Sequence, residues 1–513
     1  MTPLLARLAP FAISLLAGLA QALSIAAPWN GQPLWWLQLA ALAVLAWQVR
    51  RAVSWRRAVG LGWVFATAWL TGTFWWLFIS LHTYGGLAAP LAALAVVGLA
   101  AFLGSYYAAA AGLVRWLAAA QPPWTPAVFA GAWLAAELMR EVWFTGFPWG
   151  SIGYAHIDGP LAALAPWVGA FGMAFVAALL AAWLGALRWR TAVAALAVLA
   201  GAALLAHGNG WSQGAGSLRV SLLQGNIPQD EKFEQGTGVA TALAWYGEQL
   251  VQGKSSLLVA PETAVPLLPD QLPEGYYAGL KARFGNGAQA ALLGIPLGSF
   301  EAGYTNSVVG FKPGASAAYR YDKGHLVPFG EFIPTLFKWF TQMMNIPLGD
   351  FNRGAVGQPT FDWAGQRIAP NICYEDLFGE EIGAQFADPA KAPTILANVS
   401  NIGWFGDSLA IDQHLQISRL RSLEFERPMI RATNTGATVI IDHRGHVVQA
   451  LARHTRGVLT GQVEGRNGIT PYAWWVSRLG LWPVWLLALL AVGLAVPGRK
   501  QTVAWPGSVR GGE

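Results

Sequence analysis

The first 210 residues alternate long apolar runs with short polar breaks, and nothing else in the chain restricts its fold as much. A helix that crosses a bilayer needs about 20 apolar residues. Seven such runs are readable, at about 8–27, 34–50, 58–80, 88–114, 124–140, 160–187 and 191–207, with an eighth far downstream at 479–497. Composition agrees: 54% of residues are hydrophobic and 12% charged, against roughly 25% charged in ordinary soluble proteins. The expectation is an integral membrane protein with seven spans over 1–212, an eighth over 475–498 and a disordered cytoplasmic tail at 499–513. Arg7 before an apolar stretch ending in Ser24-Ile25-Ala26-Ala27 also resembles a cleaved signal peptide. Six similar runs follow it, so an uncleaved span is expected.

Orientation follows from the arginines, because loops rich in Lys and Arg stay in the cytoplasm. Arg7 precedes run one, and Arg50, Arg51, Arg56 and Arg57 separate runs two and three. Arg115 follows run four, Arg188 and Arg190 separate six and seven, and Arg499 and Lys500 follow the last. The alternate loops around Pro28–Pro33 and His82–Gly86 carry no Lys or Arg, and the one near Arg140 carries a single Arg beside two glutamates. Both termini are therefore expected inside, with the segment between runs seven and eight outside. The formal charge of +6 would also suit a nucleic-acid binder. The arginines border apolar runs, however, so no nucleic-acid partner is expected.

The segment 213–474 reads as a separate soluble domain. Residues 218–227, 256–262, 290–296, 305–311, 367–373, 394–400 and 437–443 have the composition of short strands bounded by Gly, Pro, Asn or Asp. Gly238–Gln252 and Gln413–Glu426 have helical spacing. The fold class is α/β, a strand-rich sheet layered against helices. Within it, Thr335–Asn345 is aromatic and Met-rich, which suits either a buried helix or a lid that dips into the membrane.

Three residues that can carry chemistry close or follow strand-like segments. Glu262 ends LLVAPE, Lys323 follows AYRYD, and Cys373, the only cysteine, ends APNIC. A lone cysteine forms no intramolecular disulfide. A carboxylate can take its proton, and a buried ammonium can stabilise an oxyanion and lower the thiol pKa. Taken singly, each is as readily a core thiol, a turn glutamate or a surface lysine.

Their surroundings carry a resemblance. PETAVP around Glu262, DKGHLVPFGEFIP around Lys323 and NICYEDLF around Cys373 resemble the Glu-Lys-Cys blocks of the nitrilase superfamily. With LVPFGE after the lysine and seven spans before it, the chain is similar to the apolipoprotein N-acyltransferases of Gram-negative bacteria. The likeness extends to FTGFPW (144–149), IDGPLA (157–162), NIGWFGDS (401–408) and RATNTGAT (431–438). It implies an eight-span helical membrane domain joined to a periplasmic, nitrilase-like αββα sandwich, in the bacterial inner membrane. It further implies acyl transfer from a phosphatidylethanolamine-like phospholipid, through a Cys373 thioester, to the α-amine of a diacylglyceryl apolipoprotein. By the same carry-over Glu262 is the general base, Lys323 the oxyanion stabiliser and Cys373 the nucleophile. Glu331 orients Lys323, the Tyr374 N–H is a second oxyanion donor and Glu375 supports. No metal and no cofactor is implied, and a monomer is expected.

Bilayer chemistry fits that implication. Moving a C16 chain into water costs on the order of 10 kcal/mol, at ~0.8 per CH₂, so a thiol acting on phospholipid has to sit at the membrane surface. A dry pocket would favour an amine over water, and Phe329, Phe332, Trp339, Phe340, Trp404 and Phe405, with Trp149, are the aromatic candidates for it. Other readings stay open. Gly406-Asp407-Ser408-Leu409 with His414 spells a serine-esterase motif, and Cys373 with His325 or His414 would make a Cys-His hydrolase. The triad also suits an amidase that uses water. Glu137, expected at the interface beside Arg140 and Glu141, invites a non-catalytic lipid-binding reading.

Overall fold

The computed structural model describes residues 3–118, 123–205, 208, 210–333 and 350–495. Every apolar run forms a helix: α1 (Pro3–Ala22), α2 (Trp35–Arg51), α3 (Trp55–Phe74), α4 (Ala89–Leu117), α5 (Thr125–Val142), α6 (Ala165–Gly185) and α7 (Trp189–Leu205). Small residues let these helices approach closely. A Cβ on Gly18 of α1 would lie 2.2 Å from the Phe65 carbonyl oxygen of α3. Inside the bundle Trp69 stacks on Trp133 at 5.6 Å and meets Tyr107 edge-on at 5.1 Å.

Of the eight spans expected from the sequence, helix length and apolarity bear out only some. Among the described residues two helices, Ala89–Leu117 and Pro160–Gly185, are long and apolar enough to cross a membrane. A third is gained if two later helices, Pro471–Leu479 and Trp482–Gly493, count as one span bent by 93°. The bend falls at Gly480, whose φ of +55° ends the first of the pair. The remaining helices fall short in length or apolarity; α2 carries Gln38 and Gln48, and α3 carries Arg56 and Arg57.

Among the described residues the second unit holds twelve strands in two six-stranded sheets. These are β1 (Ser212–Gln224), β2 (Leu257–Val259), β3 (Ala290–Ser299), β4 (Gly303–Phe311), β5 (Tyr319–Asp322), β6 (Phe361–Trp363), β7 (Gln366–Ile372), β8 (Ile395–Ser400), β9 (Met429–Thr433), β10 (Val439–Ile441), β11 (Val447–Ala450) and β12 (Gly457–Gly468). The sheet orders are β12-β1-β2-β3-β4-β5 and β11-β10-β9-β8-β7-β6. β1, β2 and β3 run parallel, as do β7, β8 and β9.

Alternation of side chains builds the layers. Val220, Leu222, Val259 and Leu292 of one sheet meet Ile395, Ala397, Val399 and Ile430 of the other in one core. The opposite face of the first sheet takes helices α8 (Ala240–Gln252) and α9 (Tyr276–Gly285) through Tyr246, Leu250 and Phe284. The outer face of the second takes helix α10 (Ala410–Phe425); later in the chain α11 (Pro471–Leu479) packs beside α6 and α10, and α12 (Trp482–Gly493) packs on α5 of the bundle. The result is an αββα sandwich.

Helix α10 is covered on both sides, and this joins the two units. One apolar cluster runs from Trp69 and Phe74 of the bundle through Ile411 and Leu420 to Leu396 and Met429 of the sheet. Polar contacts fix the dock. Gln413 Oε1 accepts from the indoles of Trp76 (3.0 Å) and Trp149 (2.8 Å), and Gln416 donates to the Gly31 carbonyl (2.9 Å). Arg419 forks onto Asp158, and Glu424 accepts from the Ala170 N–H at 2.6 Å.

Candidate active site

The candidate residues gather where strands of both sheets end. Glu262 follows β2 after Ala260-Pro261, which takes the chain off the sheet. Gly294 of β3 makes room for this turn, since a Cβ there would stand 2.2 Å from the Pro261 carbonyl oxygen. Lys323 directly follows β5, and its N–H bonds to the Asn306 carbonyl at 2.8 Å. Cys373 directly follows β7 and opens a tight helical turn, Cys373–Leu377.

Glu262, Lys323 and Glu331 form one buried network. Lys323 Nζ donates to Glu331 Oε1 at 2.9 Å and to Glu262 Oε1 at 3.3 Å. Asn306 Nδ2 donates to both carboxylates at 2.7 Å, and the Asn401 N–H donates to Glu262 Oε2 at 2.8 Å. The Val327 N–H holds the other Glu331 oxygen at 2.8 Å. Burial pushes the Glu262 carboxyl up, but the ammonium groups of Lys323 and Lys232 and the Asn306 and Asn401 hydrogen bonds outweigh it and hold the carboxyl below its usual value. Burial likewise opposes the Lys323 charge, and the carboxylates of Glu262 and Glu331 overcome it and keep the ammonium protonated.

Cys373 sits at φ +53°, a left-handed conformation for a residue with a Cβ, which costs about 1–2 kcal/mol. Its neighbours hold it there. Glu375 Oε2 accepts from the Ile372 N–H (2.6 Å) and the Tyr321 hydroxyl (2.9 Å), and Oε1 from the Gly324 N–H (2.7 Å). The Cys373 carbonyl accepts from Asn398 Nδ2 and His414 Nε2, each at 3.2 Å. Burial, and then the Glu262 charge, push the thiol up to about 12, with Lys323 pulling the other way. Burial lifts the Glu375 carboxyl to about 7, against the Ile372 hydrogen bond and the Lys323 charge.

Neither histidine serves the thiol. His414 Nδ1 faces the Arg431 guanidinium at 2.6 Å, a group that only donates, so Nε2 carries the hydrogen and gives it to Asp376 Oδ1 (2.8 Å) and the Cys373 carbonyl. His325 lies between Glu381 Oε1 (2.8 Å) and the Thr145 carbonyl (2.7 Å) and stacks on Phe378. The esterase-like motif is structural too: the Ser408 hydroxyl accepts from the Ala410 N–H at the start of α10.

The aromatic candidates divide. Trp339 and Phe340, with all of 335–345, lie outside the described residues. Trp149 is buried in the seam between the units, against His414 at 5.4 Å and on Gln413. Phe405 packs on Trp76 at 4.2 Å and Trp404 meets Tyr84 at 5.9 Å, so these three build the seam. Phe329 takes φ +64°, and the Phe332 ring stacks under Arg353. Glu137 makes no ion pair with Arg140; it accepts from Trp133, Ser151 and the Ile152 N–H, while Arg140 caps the Pro148 and Trp149 carbonyls. A chain of hydrogen bonds satisfies it, with the Arg140 charge nearby.

Sequence reasoning missed Lys232, whose Nζ donates to the Glu262 carbonyl at 3.2 Å. It is 2% exposed, and burial lowers its ammonium to about 7 against the pull of Glu262 and Cys373. It stands in a charged stretch, Asp230–Glu234, that reads as solvated surface. Asn306 and Asn401 were missed as well, although Asn306 lies in the expected strand 305–311 and Asn401 opens the quoted NIGWFGDS.

Residues 17–183 match the apolipoprotein N-acyltransferase N-terminal domain, and residues 219–469 match the carbon-nitrogen hydrolase domain. The chain is 59% identical over 497 residues to the apolipoprotein N-acyltransferase of Verminephrobacter eiseniae, covering 91% of this chain and 92% of that one. It is 45% identical to the enzyme of the same name from Ralstonia nicotianae (92% and 90% covered) and 44% to that of Bordetella bronchiseptica (95% and 97%). This chain belongs to the apolipoprotein N-acyltransferase family.

Proposed function

We propose that the protein transfers a fatty acyl chain from a phosphatidylethanolamine-like phospholipid, through a thioester on Cys373, to the α-amine of an apolipoprotein's diacylglyceryl-cysteine. Glu262 takes the thiol proton as sulfur attacks the ester carbonyl. The Lys323 ammonium and the Tyr374 N–H stabilise the oxyanion. The glycerol oxygen leaves with the proton from Glu262, which releases a lysophospholipid. The α-amine then attacks the thioester, gives its proton to Glu262, and the sulfur departs and is reprotonated. Glu331 and Glu375 position the lysine loop, residues 323–331, through the Val327 and Gly324 N–H groups. The observation that carries this reading is the buried Glu262–Lys323–Glu331 network at the same strand rim as Cys373.

The topology belongs to the same proposal: eight crossings of the inner membrane, both termini cytoplasmic and the sandwich periplasmic. Its support is the polarity of the bundle. Arg57 reaches the Arg7 carbonyl, Arg50 the Ala186 carbonyl and Arg115 the Ala52 carbonyl. These lie at the Trp55 end of α3, whereas Thr73 at its other end accepts from Gln413; 20 residues of helix span about 30 Å. The test is intact-protein mass spectrometry after incubation with phosphatidylethanolamine. A gain of one acyl chain, labile to hydroxylamine and absent from Cys373→Ala, is expected. An active protein without that adduct at early quenched times would sink the thioester route and favour hydrolysis or lipid binding.

A further inference from the structure

At the arginine-rich end of the bundle, away from the sandwich, an open cleft runs between α2, α4, α5, α6 and α7. Arg50 and Arg188 line it with Thr125 and Thr191, against an apolar wall that includes Val114 and Phe129. The Arg50 guanidinium is held in the cleft by its 2.6 Å bond to the Ala186 carbonyl at the end of α6. Arg188 is exposed and makes no side-chain bond to a described residue.

Two cations share one cleft, and the described residues that line it include no carboxylate. No Asp or Glu occurs in residues 1–136 or 159–229. Glu137 lies twelve residues along α5 from Thr125, about 18 Å away. A topology signal alone needs arginines in water; it does not need them converging on an apolar cavity. Guanidinium groups match phosphate oxygens in pairs, and basic pockets between membrane helices suit lipid head groups. We propose that this cleft binds the phosphodiester of an anionic phospholipid, with the acyl chains along the apolar wall. The site is independent of the Cys373 chemistry and shares with it only the placement of the bundle in a bilayer.

The test is native mass spectrometry of the full-length protein titrated with dioleoyl-phosphatidylglycerol, dioleoyl-phosphatidylethanolamine or inorganic phosphate. Arg188→Gln carries it, because Arg50 also caps α6; an unchanged melting temperature in lipid-free detergent checks its fold. Phosphatidylglycerol should be retained over phosphatidylethanolamine and lose about fivefold in affinity in Arg188→Gln, from roughly 1 kcal/mol per basic side chain near a lipid surface. Arg56→Gln, an exposed arginine outside the cleft, should retain it fully. Equal losses in both variants would reduce the effect to surface charge and overturn the site. Equal retention in Arg188→Gln and wild type overturns it too. Phosphate that competes as strongly as the lipid at equal concentration would overturn the lipid assignment in favour of a free-anion site.

Discussion

Tyr374, the residue after Cys373, donates its phenol across the boundary between the two units to the Gly146 carbonyl at 2.9 Å. Its ring stacks on Phe147 at 6.3 Å, and His325 of the lysine loop reaches the adjacent Thr145 carbonyl. The loop after α5 thus braces both the turn that opens at Cys373 and the loop that follows Lys323.

Tyr374→Phe keeps the stack and removes one neutral hydrogen bond, worth about 1 kcal/mol. Thioester formation should slow about fivefold with little change in melting temperature. An unchanged rate would show that the bundle does not position the turn through this bond.

Glu331→Gln leaves Lys323 with one carboxylate instead of two. Breaking a buried charged contact costs about 3 kcal/mol or more, so acylation should fall about 100-fold. Substrate KM should stay near wild type, because Glu331 acts through Lys323. A change confined to KM would assign it to substrate binding instead.

The Cys373 thiol gives a test with two opposite signs. Burial and the Glu262 charge hold it near 12, so almost no thiolate exists at neutral pH. Iodoacetamide labelling should be slow and rise with pH beyond 9. Glu262→Gln removes the repulsion and should label several-fold faster, yet acylate from phospholipid about 100-fold or more slowly without its base. If both rates fall together, Glu262 is organising the turn rather than accepting the proton.

Lys232 ties stability to pH. Its ammonium titrates at about 7 in the fold, against about 10.4 unfolded. Between those values the unfolded chain binds the extra proton, so stability climbs with pH by up to ~1.4 kcal/mol per unit. Below about pH 7 both states are protonated and that gain is absent. Lys232→Met should flatten the slope of melting temperature between pH 7 and 9; an identical slope would remove Lys232 as its source.

Much of this was legible before any coordinates, and what was not has physical causes. Short runs such as TILANVS announce strands because a sandwich core wants alternating apolar residues. β9 escaped notice because Arg431 sits in its middle, and only the fold supplies the His414 and Ser418 partners that make that tolerable. Trp149 lies in the seam, and an aromatic residue next to Pro reads equally as pocket lining or as seam. Lys232 was hidden by its charged neighbours, and the last apolar run bends at Gly480 where hydropathy registers no break.

Helix α10 has a further consequence for anyone wishing to work with the sandwich alone. Cutting the chain at β1 and after β12 would strip one side of that helix, baring Gln413, Gln416, Arg419 and Glu424 amid Ile411 and Leu420. Such a fragment would keep both sheets yet carry a sticky flank with misplaced polar groups. A water-soluble version therefore calls for redesign of this flank.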